Sequence, residues 1–148
     1  MRIEHVLEQK GSRVETLWNT KSLRDAVAVL DARNIASIVI TDPHGVPLGI
    51  VTDRDIIHVL ARRGALAMDD RITAAMATPL PVCGPLDTVS DVLRAMTDNR
   101  YRHCVVMRDG RMAGLVSIGD LVKIRLDDAE LEGRVLRERA LGQMAFER

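Results

Sequence analysis

The chain copies itself: a segment beginning at Ser22 returns 66 residues later, and the separation drops to 65 after one turn. A tandem duplication restricts the fold to two copies of one small unit, because each copy must satisfy the same hydrophobic pattern. Ser22-Leu-Arg-Asp-Ala-Val-Ala-Val-Leu30 reappears as Thr88-Val-Ser-Asp-Val-Leu-Arg-Ala-Met96. The apolar positions 23, 26, 27 and 30, and 89, 92, 93 and 96, keep the i, i+3, i+4, i+7 spacing of a helix with one buried stripe. Each copy opens on a hydroxyl residue followed three positions later by Asp, the arrangement that closes the first free amides of a helix.

The rest of the unit follows from local chemistry. Ile35–Thr41 and Tyr101–Met107 are β-branched or apolar runs too short for helices. The turns Asp42-Pro-His-Gly45 and Arg108-Asp-Gly110 stop them. Leu48–Thr52 and Ala113–Ser117 then read as return strands of hairpins, each running into a second helix near 53 to 63 and 118 to 126. A shorter strand is expected before each first helix, around Val14 to Leu17 and Leu80 to Cys83. The fold class is therefore α+β, two tandem β-α-β-β-α units. Ile3-x-x-Val6-Leu7 and Ile72-x-x-Ala75-Met76 mark a short helical lead-in before each unit. This divides the chain into 1–68 (lead-in and first unit), 69–124 (linker helix and second unit) and a charged, helical tail over 125–148. A unit of about 60 residues buries too little apolar surface to stand alone, so the two are expected to pack face to face.

Composition removes several classes of function. Lys+Arg 21 against Asp+Glu 21 leaves no net positive field to collect nucleic acid or an anionic membrane. The first ten residues carry acids where a signal peptide needs an apolar core, and no run approaches 18 apolar residues, so a cytoplasmic protein is expected. Cys83 and Cys104 lie inside apolar runs and read as reduced core residues. His5, His44 and His58 show no paired spacing and read as surface residues, which argues against a metal site. The seven methionines fall mostly at core spacings. Neither a Gly-x-Gly-x-x-Gly motif nor a P-loop is present, and Gly114-Leu-Val-Ser-Ile-Gly119 is one residue too long for a nucleophile elbow. No nucleophile, base and orienting group converge, so the chain is read as a non-enzyme that needs no cofactor.

The best-kept segment of the repeat is Gly49-Ile-Val-Thr-Asp-Arg-Asp55 against Gly114-Leu-Val-Ser-Ile-Gly-Asp120. On spacing alone, Ser/Thr-x-x-Asp simply caps the second helix as it caps the first. Its location permits more: a strand end feeding a helix amino terminus offers free amides and a positive dipole end to a phosphate. An Asp there can accept both hydroxyls of a ribose, at roughly 1.5–3 kcal/mol per charge-assisted bond. The glycine removes a side chain, leaving room for a flat base to approach the sheet.

The doubled Gly-hydrophobic-hydrophobic-[Ser/Thr]-x-x-Asp, with the element order around it, resembles tandem CBS domains, also called Bateman modules, over about Val14 to Lys123. The resemblance implies two units related by a pseudo-twofold axis, modules that pair into a homodimer, and clefts that bind adenosine compounds. Carried over by position, it implies that Asp55 and Asp120 hold ribose hydroxyls and that Thr52 and Ser117 sit at the ribose or phosphate. Ala36, Ser37, Arg102 and His103 would line the adenine and phosphates, joined by Thr16 and Met76. For Arg102 and His103, a solvated helix terminus is an equal reading. Arg54 lies inside the first motif and is counted with the site, although an arginine in a first helical turn more often faces solvent. One departure is Val105, where many members of the family have proline in the second unit.

The expected function is a regulatory module that senses AMP, ADP, ATP or a related adenosine compound such as NAD, without catalysis. The competing expectation is an interaction scaffold with vestigial clefts that acts through its C-terminal helix on a regulated protein. From Arg125 onward the chain is rich in Arg and Glu with sparse apolar anchors Leu131, Val135 and Leu141, and Gly133 and Gly142 weaken any helix. That segment reads as a frayed, solvent-facing helix, or as a docking or dimer helix.

Overall fold

A computed structural model describes residues 1–146. The first repeat runs through β1 (Thr16–Trp18), α2 (Leu23–Arg33), β2 (Ser37–Thr41), β3 (Pro47–Thr52) and α3 (Asp53–Arg63), after a lead-in helix α1 (Ile3–Lys10). The second runs through β4 (Val82–Cys83), α4 (Val89–Asn99), β5 (His103–Arg108), β6 (Arg111–Ser117) and α5 (Ile118–Phe146). Each repeat is β-α-β-β-α and builds its own three-stranded sheet, ordered β1-β2-β3 and β4-β5-β6. In both sheets the first pair is parallel and the second antiparallel. Ser37 stands opposite Thr52 in one, and His103 opposite Ser117 in the other.

The caps read from sequence form. Ser22 Oγ accepts from the Asp25 amide at 3.1 Å and Asp25 Oδ2 accepts from the Ser22 amide at 3.0 Å. At α4 only half of this appears, with Thr88 Oγ1 accepting from the Asp91 amide at 3.1 Å. Both first helices end on a left-handed residue, Asn34 (φ 52°) and its repeat mate Arg100 (φ 58°).

Three apolar clusters hold the molecule together. One lies between α2, α3 and the first sheet, around Leu23, Ile38, Val51 and Ile56. Its mate lies around Val89, Met96, Val106 and Leu121. The third, Val39, Ile50 and Val105 with Leu80, Val14 and Leu115 against them, joins the two sheets. Its members come in repeat-related pairs, which is how two sheets pack about a pseudo-twofold axis. Val105, the position of the expected departure, is fully buried in this seam.

The lead-in segments cross over. Ile3, Val6 and Leu7 of α1 belong to the second core, while Ile72 and Ala75 belong to the first. The bridges Arg2 to Thr88 and Ser22 to Arg71 repeat this exchange. Two elements differ from the sequence expectation. The second lead-in is a single 3₁₀ turn, Ile72–Ala74, because the Ala77 amide donates to the Ile50 carbonyl at 3.1 Å and pulls the chain into a bridge with β3. The second helix of the second unit, expected near 118 to 126, runs on as α5 in one piece through the tail, past Gly133 and Gly142. Each glycine costs a helix about 1 kcal/mol, which the surrounding Ala, Leu, Arg and Glu residues offset. Its later apolar residues, Leu131, Leu136, Leu141 and Met144, are exposed. No helix among the described residues is long and apolar enough to cross a membrane.

Candidate functional site

The site begins at the junction of β3 and α3. Thr52 Oγ1 accepts from the Asp55 amide at 3.2 Å, and Asp55 Oδ2 accepts from the Thr52 amide at 2.8 Å. Ser117 and Asp120 repeat the box at 3.1 and 2.9 Å. The capping role is thus realised in both copies. It employs Oδ2 of Asp55 only, and Oδ1 takes no hydrogen bond among the described residues. The Asp53 amide donates to the Ala36 carbonyl at 3.0 Å and the Ile118 amide to the Arg102 carbonyl at 2.8 Å. These bonds fix the start of each central strand beside a helix amino terminus.

The motif glycines have a different reason from the one expected. A Cβ at Gly49 would run into Met76 Cγ and lie 2.8 Å from the Ala77 carbonyl oxygen. A Cβ at Gly114 would lie 2.6 Å from Leu7 Cδ2. The space beside each glycine is therefore filled by a crossing lead-in segment and is not left open to a planar base.

A cleft of about 1110 Å³ opens between the repeats. Ala36, Thr52, Arg54 and Asp55 line it from the first, and Arg102 and His103 from the second. Six of the residues expected from sequence are thus brought together. The other five do not line this cleft: Thr16 is exposed on β1, Ser37 is buried in β2, Met76 lies against Gly49, and Ser117 and Asp120 form the second junction. Arg100, Tyr101 and His58 also line it and were not among the residues expected there. His58 is exposed, as expected, but on the cleft wall. For Arg100 a signal existed: the repeat aligns it with Asn34, and an arginine where the helix end favours Asn or Gly is out of place.

The electrostatics are one-sided. Arg54, Arg100 and Arg102 bring three guanidinium groups, and His58 and His103 two imidazoles, into the cleft that holds the Asp53 and Asp55 carboxylates. The repeat mates of these five side chains are Gly119, Asn34, Ala36, Lys123 and Ser37, a far less basic set. Burial pushes the His103 imidazole below its ordinary pKa, while the nearby carboxylates of Asp120, Asp53 and Asp55 pull the other way. His103 is neutral at neutral pH and can take up a proton when an anion arrives. A carboxylate with an open oxygen, with Arg54 beside it on α3 and Arg100 and Arg102 from the other repeat, suits a molecule with a polyol at one end and negative charge at the other.

The second junction is engaged differently. Lys10 Nζ donates to Asp120 Oδ2 at 2.7 Å and to the Leu115 carbonyl at 2.7 Å. Burial raises the Asp120 pKa, but the Lys10 and Ser117 hydrogen bonds outweigh it and hold the carboxyl below its usual range. Among the described residues no group of three or more His, Cys, Asp or Glu side chains is arranged to hold a metal ion.

Comparison with known proteins agrees with this architecture. The CBS domain matches residues 11–62 and 71–127. A mitochondrial CBS domain-containing protein of Arabidopsis thaliana is 30% identical over 129 residues, which are 82% of this chain and 63% of that protein. The chain thus spans less than two thirds of that relative's length. The crystal structure of a CBS-domain containing protein from Agrobacterium tumefaciens superposes with a TM-score of 0.80 at 36% identity, covering 84% of this chain and 98% of the other. A CBS domain pair solved in complex with 5′-methylthioadenosine and S-adenosyl-L-methionine superposes with a TM-score of 0.76 at 22% identity, over 86% and 98% of the two chains. With two matched segments and two repeat-related sheets, the chain belongs to the CBS domain family and carries the domain as a tandem pair.

Proposed function

We infer that the chain is a regulatory module that binds an adenosine nucleotide in the cleft at Asp55 and does not turn it over. The observation that carries this reading is the meeting of the Asp55 carboxylate from one repeat with Arg100, Arg102 and His103 from the other. Asp55 takes the ribose hydroxyls, the amino terminus of α3 and the arginines take the phosphates, and Ala36 leaves room for the base. The density of cations favours a di- or triphosphate, ADP or ATP, or the pyrophosphate of NAD, over AMP. The 22% identical pair holds two adenosine compounds, in keeping with an adenosyl group in this fold. The ligand bridges both repeats, so its arrival alters their relative restraint, and that is the signal a regulated partner would read.

The test is the thermal midpoint of the protein titrated with AMP, ADP, ATP, NAD and S-adenosylmethionine. A ligand that binds only the folded state at a hundred times its Kd stabilises by about 2.7 kcal/mol, which is roughly 5–10 °C for a domain of this size. No shift with any of them would sink the reading.

A second reading, an interaction helix, is favoured by α5. Leu126, Ala129, Gly133, Leu136 and Ala140 follow a 3-4 spacing along its length. Arg125 and Glu132 flank that seam on one side, and Glu130 and Arg137 on the other. In a parallel pair of helices these oppose as Arg125 to Glu130 and Glu132 to Arg137, both attractive, so the fitting partner is a second copy of the chain. Sedimentation equilibrium decides: a monomer at tens of micromolar excludes the homodimer.

A further inference from the structure

The two repeat-related junctions differ in one contact. At the first, the Ile50 carbonyl accepts from the Ala77 amide at 3.1 Å, and Asp55 Oδ2 receives only the Thr52 amide. At the second, the Leu115 carbonyl, repeat mate of Ile50, accepts instead from Lys10 Nζ at 2.7 Å. The same ammonium sits 2.7 Å from Asp120 Oδ2, which already receives the Ser117 amide at 2.9 Å. A side chain 110 positions away in sequence thus does the work of a backbone amide and, in addition, takes the carboxylate.

Lys10 is placed there by packing. It is the last residue of α1, whose Ile3 and Val6 are buried in the second core and whose Leu7 lies against Gly114. With one end of the ammonium on a carbonyl and the other on Asp120, the side chain is held at both contacts. A ribose offers its two hydroxyls to the two oxygens of one carboxylate. Each carboxylate oxygen has about two acceptor positions, and both on Asp120 Oδ2 are filled. The walls differ as well: Asn34 and Gly119 stand where the first site has Arg100 and Arg54.

We propose that Lys10 is an internal occupant of the second site, so that the chain takes a single nucleotide, at Asp55, and opens the second only when Lys10 is displaced. This rests on the adenosine-nucleotide reading above. Lys10 is the specificity-determining residue of the second site: it makes a ligand compete with an intramolecular cation, which weakens binding there by roughly ten- to hundredfold relative to a site without it. Because α1 carries Lys10, displacement would also loosen the grip of the N-terminal helix on β6. The asymmetry turns a duplicated fold into a module with one ready site and one guarded site.

The experiment is equilibrium dialysis of the full chain against ADP, with the melting curve of each variant recorded beside it. Wild type and Lys10→Arg should bind one equivalent, Lys10→Met and Lys10→Gln should bind two, and Lys10→Met combined with Asp55→Ala should keep one. Two equivalents of similar affinity in wild type would overturn the proposal. So would a single equivalent in both Lys10→Met and Lys10→Gln with native melting curves, while leaving the nucleotide reading intact. If wild type binds none but Lys10→Met binds one, Lys10 guards the site and the assignment of Asp55 fails. Absence of binding in every variant overturns both.

Discussion

Replacing Arg100 with glycine should raise stability and lower nucleotide affinity at once. Arg100 sits at φ 58° and ψ 41° at the end of α4. A side chain in that left-handed conformation costs about 1–2 kcal/mol, which glycine escapes. Glycine gives back about 0.5–1 kcal/mol through the freedom of the unfolded chain. The Arg100 side chain is exposed and its amide bond to the Met96 carbonyl is a backbone contact, so little else is lost. The net gain is about 0.5–1 kcal/mol, a rise of roughly 2–3 °C in Tm for a domain of this size. The cleft meanwhile loses a guanidinium whose bond to a phosphate is worth roughly 1.5–3 kcal/mol, so ADP should bind about ten- to hundredfold more weakly. Scanning calorimetry reads the first effect and titration calorimetry with ADP the second. Arg100→Asn, which copies Asn34, should behave alike. A lower Tm would show that the arginine is packed or paired in solution, and an unchanged affinity would refute its role at the phosphates. Backbone strain retained where a ligand is handled is the pattern expected when binding and stability compete for one residue.

Asp55→Ala should weaken ADP binding by roughly thirtyfold and remove a cap worth about 1 kcal/mol, visible as a modest drop in Tm. A fall in Tm with unchanged affinity would reduce Asp55 to a cap. Gly49→Ala should destabilise by about 1–3 kcal/mol in urea denaturation, because its Cβ meets the Ala77 backbone oxygen at 2.8 Å. An unchanged midpoint would mean that the crossing segment yields freely. His103 has a folded pKa below its ordinary value, so the unfolded chain binds the proton first. Its contribution to stability is complete above a pH of about 6.5 and is lost as pH falls through the folded value. His103→Gln should flatten the loss of stability as pH falls below about 6.5, and an unaltered slope would place the titration elsewhere.

What could be read from the sequence was local. The repeat, the helical stripes at 23 to 30 and 89 to 96, and the hydroxyl-x-x-Asp boxes are all encoded within one or two turns of chain. Spacing of that kind states which face is buried and which amides need a partner. The CBS resemblance named Ala36, Thr52, Asp55, Arg102 and His103 as candidates, and the fold brings these five to one cleft. The continuous run of α5 through two glycines was not legible, since propensity sums over many residues and single breakers mislead.

Tertiary structure alone decided the rest. Ile3-x-x-Val6-Leu7 announces a buried stripe without stating that the second unit covers it. The reason for Gly49 and Gly114 lies in Met76 and Leu7, and the reach of Lys10 to Asp120 spans 110 positions. Periodicity records that a side chain must leave water, and charge records that it must find a partner. Which surface or partner it meets depends on how two sheets turn about their common seam at Val39 and Val105, a geometry that no stretch of chain contains by itself.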